Sequence, residues 1–151
     1  MIVVRGWRLP SGLLYDVPHH CWYRLEPDGL VRLGMTEVAV TLAGEILAYT
    51  PKRVGLAFEA GRSCAVIESG KWVGPVRVAF AGTMVAVNEP MIARPGLANA
   101  DPYGAGWVAL VRPADPAALA GLLSGNAVEA AYAAWMEAED FPAREEGARE
   151  Q

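Results

Sequence analysis

The chain is short of several things, and each shortage closes off a class of function. Two cysteines in 151 residues, Cys21 and Cys64, are too few for a disulfide framework, and a reducing compartment keeps such residues as thiols. Charged residues make up only 20%, with a net charge of −4 and no basic cluster, so there is no electrostatic footprint for nucleic acid or for an anionic membrane surface. No apolar run approaches a membrane span. The opening MIVVRGWRLP is interrupted at Arg5 and lacks the apolar core of a secretory signal, which makes the bacterial cytoplasm the expected location. Nucleophile elbows, HExxH pairs and Gly-rich dinucleotide fingerprints are missing as well. A phosphate-binding loop GxxxxGK[ST] would need glycine at position 65 and serine or threonine at 72, where Ala65 and Trp72 stand. His19, His20 and Cys21, with Cys64 as a fourth ligand, invite a metal reading. Neighbours in extended chain point to opposite sides, however, and no CxxC or spaced HxxxH pair supports it, so no metal is expected.

What the chain does have is apolar content, 53%, enough for one domain with a real core. The most informative stretch runs from Cys64 to Gly82, CAVIESGKWVGPVRVAFAG. Val66 and Ile67 are β-formers, and Val76, Val78 and Phe80 recur every second residue, the period of a strand with one buried face. Between them Ser69 and Gly70 supply turn chemistry, glycine by tolerating positive φ and serine by satisfying local backbone groups. The spacing predicts a hairpin with Lys71 at its tip. From the residues alone, such a lysine is either a plain solvated charge or an ammonium offered to a modifying enzyme, whose acylation would remove that charge.

Along the rest of the chain, residues 1–18 read as an irregular apolar arm broken by Pro10 and Pro18. A hairpin follows, Trp22 to Leu25 and Leu30 to Leu33, around the Glu26-Pro27-Asp28-Gly29 turn. Thr36 is placed to cap a short helix over residues 37–43 that ends at Gly44, with Val38 and Leu42 on one face. Short strands are expected at Ile46 to Tyr49, Leu56 to Phe58, Met84 to Val87 and Trp107 to Val111, with a loop over residues 88–101 and Gly82 as a turn. Gly104 and Gly106 permit a tight backbone path beside Tyr103 and Trp107. Asp115-Pro116 opens one C-terminal helix, and Asn126 with Glu129 opens a second whose Val128, Tyr132, Trp135 and Met136 form a packing stripe. From Phe141 onward the sequence is charged and aperiodic, and reads as frayed. The pattern predicts a mainly β fold, a small sandwich or barrel.

Several of these segments resemble the glycine-cleavage H proteins. ESGK at Glu68 to Lys71 is similar to the family's ESVK, whose lysine carries lipoic acid. Gly82 keeps the family's spacing of eleven residues after that lysine, and VNE at Val87 to Glu89 follows. NADPYGAGW at Asn99 to Trp107 resembles NEDPYGEGW, HCW at His20 to Trp22 resembles HEW, and GMTEVAVTLAGEI at Gly34 to Ile46 resembles GITDYAQEQLGDI. The resemblance implies a lipoyl-domain-like barrel-sandwich hybrid over residues 19–113, with an arm at 1–18, two C-terminal helices over 114–139 packed on it and a tail at 140–151.

The same resemblance implies a carrier, not an enzyme with its own catalytic centre: lipoic acid in amide linkage on Lys71, with Glu68, Ser69, Gly70 and Trp72 around it for recognition by the lipoate-attaching enzyme. Cys21 and Cys64 are then candidate redox thiols. After the lysine, the family's AASDLYSPVSG is replaced by WVGPVRVAFAG, with Trp72 for a small residue and Gly70 for valine. A tryptophan there offers an apolar resting place for the dithiolane. Together with RVGLAFEAGRSCAVIE and the N-terminal LPSGLLYDV, this is more similar to the H-protein-related lipoate-binding proteins of sulfur oxidisers. That likeness implies a cargo of sulfur intermediates and a heterodisulfide-reductase-like complex as partner. The alternative is the glycine-cleavage H protein proper, carrying an aminomethyl group among glycine decarboxylase, aminomethyltransferase and dihydrolipoamide dehydrogenase. A third reading is an interaction domain that has lost the modification.

Overall fold

A computed structural model describes residues 1–144. Its main elements are eleven short strands: β1 (Ile2–Val4), β2 (Trp7–Leu9), β3 (Leu14–Asp16), β4 (Cys21–Leu25), β5 (Val31–Met35), β6 (Ile46–Pro51), β7 (Ala57–Phe58), β8 (Ser63–Ser69), β9 (Val73–Arg77), β10 (Gly82–Val87) and β11 (Ala109–Pro113). They make a six-stranded sheet in the order β3-β4-β5-β11-β10-β7, a three-stranded sheet β6-β8-β9 and a two-stranded hairpin β1-β2, all with antiparallel neighbours. Four helices are added: α1 (Glu37–Ala43), α2 (Glu89–Ala93), α3 (Leu97–Ala100) and α4 (Asn126–Ala138).

The main core lies between the two larger sheets. Tyr23, Val31 and Leu33 come from one side and Tyr49, Ile67 and Val76 from the other, so the expected period of two is realised as one buried face on each sheet. Val78 and Phe80 continue it past the end of β9. A second core sits on the outer side of β4. There Trp22 meets Trp7 and Leu9 of the first hairpin, Val38 of α1 and the Val128-Tyr132-Met136 stripe of α4. In β4 the successive residues Cys21, Trp22 and Tyr23 are therefore all buried, because each face of the strand has its own core.

The hairpin over residues 22–33, the Thr36 cap and the helix ending at Gly44 stand as expected, and the Thr36 hydroxyl accepts from the Ala39 amide at 3.2 Å. Other expectations give way. Residues 1–18 are not irregular: they form β1, β2 and the edge strand β3, turned at Arg5 and Gly6, both with positive φ. Three-residue strands are too short for periodicity to reveal. The predicted loop over 88–101 contains α2 and α3. The first C-terminal helix is a 3-10 segment, Pro116–Gly121, and Leu123 leaves it to bridge to Tyr15. The α4 N-cap is Gly125, with no side-chain cap bond, so Asn126 and Glu129 form no capping box. Leu42 does not share the buried face of Val38 but is exposed. Gly82 lies inside β10, where a Cβ would come 2.6 Å from the Arg112 carbonyl oxygen of β11; close strand packing, not a turn, requires glycine there. Phe141 is buried against Trp7 and Trp135, and the Arg144 amide donates to the Arg5 carbonyl at 2.8 Å. The start of the expected frayed tail is thus packed, and the rest of it, 145–151, lies outside the described residues.

Two asparagines in the motif segments hold loops in place. Asn88 is buried and its amide nitrogen donates to the carbonyls of Ala105 and Trp107 at 2.7 and 2.8 Å. Asn99 accepts from the Ile46 amide and donates to the Gly44 carbonyl, both at 2.9 Å, clamping the junction between α1 and β6. Gly106 is needed because a Cβ would meet the Leu97 carbonyl at 2.5 Å. Replacing Asn88 by alanine leaves two carbonyls without their donor, and the expected loss is about 2 kcal/mol or more in urea denaturation. An unchanged midpoint would show that water takes the place of the amide.

Candidate functional site

The β8-β9 hairpin is closed at its tip by one side chain. The Ser69 amide donates to the Trp72 carbonyl at 2.7 Å, the Ser69 hydroxyl donates to the same oxygen at 3.3 Å, and the Lys71 amide donates to that hydroxyl at 3.4 Å. Ser69 is buried and is spent on the turn. Gly70 is not in the left-handed region and a Cβ on it would meet nothing, so the positive-φ requirement expected of it is not present. Lys71 is exposed at the tip. Its aliphatic stem lies across the end of α1: a methyl carbon placed on Gly44 would sit 3.1 Å from Lys71 Cε and 3.8 Å from Nζ. Gly44 itself has φ 83°, so both backbone and space call for glycine. Glu68, opposite Val73 in the register, is exposed beside the tip.

Trp72 folds back over Gly74, where a Cβ would lie 2.6 Å from indole Cε2. Held this way, the indole walls a cavity of about 250 Å³ between β9 and α1. Pro75 and Val76 continue the wall on the β9 side, Ala39, Leu42 and Ala43 line it from α1, and His19, His20, Cys21 and Met35 complete it. No aspartate or glutamate is among these residues. On the other side of α1 is a polar hollow of about 400 Å³, where Arg8 holds Glu37 through Nη2 at 2.8 Å and Nε at 3.0 Å, with Asn99 and Gly44 in its lining. The residues placed around Lys71 by sequence are thus brought together, while Gly44, Gly74, Asn99 and the α1 wall were missed. Gly74 was findable: it stands two residues after Trp72, at the start of the return strand, where a bulky side chain folding back needs a small neighbour.

His20 has a left-handed backbone, φ 54°, and its Nδ1 lies 3.1 Å from the Tyr132 hydroxyl, with the ring stacked on Tyr132 and edge-on to Trp135. Burial, aided by neighbouring His19 and opposed by Asp16, lowers its pKa to about 4, so it is neutral at pH 7. His19 turns elsewhere, with Nδ1 2.6 Å from Asp16 Oδ2. Cys21 and Cys64 are both buried; burial pushes the Cys21 thiol well up and that of Cys64 to about 12, which keeps both protonated at neutral pH.

The sequence model of the family described as "Glycine cleavage H-protein" matches residues 13–134. "Glycine cleavage system H protein 5" of Aquifex aeolicus is 48% identical over 120 residues, spanning 77% of this chain and 80% of the relative. The glycine cleavage system H protein of Neisseria meningitidis serogroup C is 41% identical over 118 residues, spanning 78% and 91%. The crystal structure of a glycine cleavage system H protein from Mycobacterium marinum superposes with a TM-score of 0.73 at 32% identity, covering 82% of this chain and 98% of that one.

Two outcomes test the site geometry. Gly74→Val forces the indole off its seat, so Trp72 fluorescence should shift to the red as the ring enters water, whereas Gly70→Val should leave it unchanged; equal responses would refute the packing described. His20 titrates lower in the fold than in the unfolded chain. Above pH 6.5 it contributes nothing to pH dependence; between pH 6.5 and about 4 the unfolded chain protonates first, so stability falls as pH falls. The loss is of the order of 3 kcal/mol by pH 4. His20→Asn, which tolerates the left-handed backbone, should flatten this component when denaturation midpoints at pH 7.5 and 4.5 are compared.

Proposed function

This chain belongs to the glycine cleavage H-protein family, and from that premise we propose that Lys71 is the attachment point of lipoic acid and that the protein is a carrier working between larger enzymes. The carrying observation is the hairpin tip. Ser69 fixes the turn, Lys71 projects from it, and among the described residues no carboxylate lies within ion-pair distance of its ammonium. An exposed amine on a rigid two-stranded support suits a modifying enzyme that must reach Nζ. Amide formation removes the charge, so the modified side chain is free to leave water and lie on apolar surface. When attached, the lipoyl group supplies a disulfide at the end of a long flexible tether.

The tether raises the local concentration of that disulfide at any enzyme docked on the hairpin, to the millimolar range for a short flexible link, about as two linked binding modules behave. Glu68 and Trp72, exposed on either side of Lys71, are the side chains the lipoate-attaching enzyme would read; Ser69 acts by shaping the turn. The names of the relatives favour a cargo of aminomethyl groups, passed between glycine decarboxylase and aminomethyltransferase, with dihydrolipoamide dehydrogenase restoring the disulfide. A second cargo, sulfur intermediates delivered to a heterodisulfide-reductase-like complex, is favoured by one observation: the cavity beside the lysine has no carboxylate in its wall. The cytoplasm, where lipoate is attached and these enzymes work, is the proposed location.

The deciding experiment is the intact mass of the protein from cells that lipoylate other carriers, set beside that of Lys71→Arg. Arginine keeps the charge and the turn but offers no amine for acylation. A lipoyl increment is expected in the first and not in the second, although Lys52 remains in both. An unmodified native protein would overturn the carrier reading in favour of a plain interaction domain.

A further inference from the structure

We infer that the polar hollow on the other side of α1 is a binding site for a small carboxylate, held by the guanidinium groups of Arg8 and Arg144. The hollow, about 400 Å³, is separated by α1 from the cavity walled by Trp72 and reaches Gly44, the residue crossed by the stem of Lys71. Both arginines come from the ends of the chain. Arg8 lies on β2 and Arg144 follows α4, so both stand outside residues 13–134, the span that the family model matches. Contacts between the two ends bring them to one place: Trp7 Nε1 donates to the Pro142 carbonyl at 2.9 Å, and the Arg144 amide donates to the Arg5 carbonyl at 2.8 Å. The Trp7 ring packs against Phe141 with centroids 5.1 Å apart, and Arg144 Cζ lies 5.0 Å from the Trp7 centroid. Set in position this way, the two cationic groups spare a ligand the cost of ordering them.

The charge of the wall then fixes the kind of ligand. Glu37 supplies the carboxylate of the lining and is itself buried. Its Oε2 takes Arg8 Nε and Nη2, its Oε1 takes the Arg8 amide at 3.1 Å, and Arg144 Nη1 stands 3.7 Å from Oε1. One carboxylate facing two guanidinium groups leaves an excess of one positive charge, which a monoanion matches. A dianion would bring a surplus negative charge beside the buried Glu37. Among the described residues Arg8 Nη1 has no acceptor, and the Arg8 side chain is 48% exposed, so a donor remains for an incoming oxygen. The other polar groups of the lining are engaged by backbone: Asn99 by Ile46 and Gly44, and the Thr41 hydroxyl by the Glu37 carbonyl. Selection therefore falls to the arginines, whose planar forks suit a planar carboxylate. Val40, Ala100 and Pro102 give the hollow an apolar part on which a short alkyl chain can rest.

The test uses the full, unmodified chain with butyrate, inorganic phosphate and chloride as separate probes, at matched ionic strength and at pH 7.5, where phosphate is mostly a dianion. Binding is followed by nitrogen-15 chemical shifts. Butyrate should move the amides of Arg8, Thr41 and Gly44 and the Asn99 side-chain N–H groups saturably, about fivefold more tightly than phosphate, while chloride gives no saturable response. The Trp72 indole N–H, which reports on the other cavity, should stay still. Arg144→Gln should weaken butyrate about fivefold or more, and Glu37→Gln, which keeps an acceptor for Arg8 but removes the competing charge, should tighten it. Arg8→Lys, at an exposed position, keeps the charge without the fork and should also weaken butyrate, which holds the site to account if the Glu37 variant does not fold. Phosphate binding as tightly as butyrate would overturn the carboxylate assignment. Linear shifts common to all three anions, shifts at Trp72 in place of the hollow, or butyrate binding unchanged in Arg144→Gln and Arg8→Lys would overturn the site itself, as expected of an ion pair that only fastens the chain ends to α1.

Discussion

The structure turns on the burial of β4 from both sides. A strand of a two-layer sandwich ordinarily shows one face to water, but here Cys21 and Tyr23 enter the core between the sheets while Trp22 enters the core beneath α4. Trp22 is fully buried and donates from Nε1 to the carbonyls of Met35 and Pro102 at 3.1 and 2.9 Å. Its room is made by Gly34, its register partner on β5, where a Cβ would come 2.7 Å from the ring. Through this one side chain the six-stranded sheet, the DPYG segment and the C-terminal helix are fixed relative to one another. The residues just before it, His19 and His20, are thereby held in the cavity wall.

Much of this was legible in the sequence, for identifiable reasons. The lysine hairpin has period-two apolar residues on its return strand and turn formers at its tip, and its register survives because a slip of one residue would expose Val76 and Val78. The helix at 37–43 has a cap at one end and a glycine at the other, two signals local enough to need no tertiary context. What stayed hidden is what depends on partners far away in the chain. The strands β1 to β3 are three residues each and are held by α4 and the Leu123 bridge rather than by their own pattern. The helices α2 and α3, at five and four residues, are shorter than a periodic signal. Leu42 was misassigned because α1 is buried on several sides, through Glu37, Val38, Ala39, Val40 and Ala43, which leaves Leu42 to the rim of a cavity that no single segment announces.

The site shows the same division. Lys71 and its neighbours could be found because they are contiguous, and the motif residues Asn88, Asn99 and Gly106 prove to be structural, each satisfying or sparing backbone groups of the loops behind the hairpin. The cavity wall, by contrast, is assembled from the approach to β4, from α1 and from β9. Its residues Cys21, Met35, Ala39, Ala43 and Val76 also belong to the main core, so the wall is built from side chains that hold the sheets and α1 together.

Pro75 has one more consequence. It lies within β9, an outer strand of the three-stranded sheet, and Pro51 closes β6, the strand at the opposite border. Proline has no amide hydrogen to give, so neither border can offer an unbroken row of donors to an incoming strand. An unprotected sheet border runs the hazard of being extended by copies of the same chain, sheet edge to sheet edge. Pro75 thus makes the β8-β9 hairpin a poor template for aggregation.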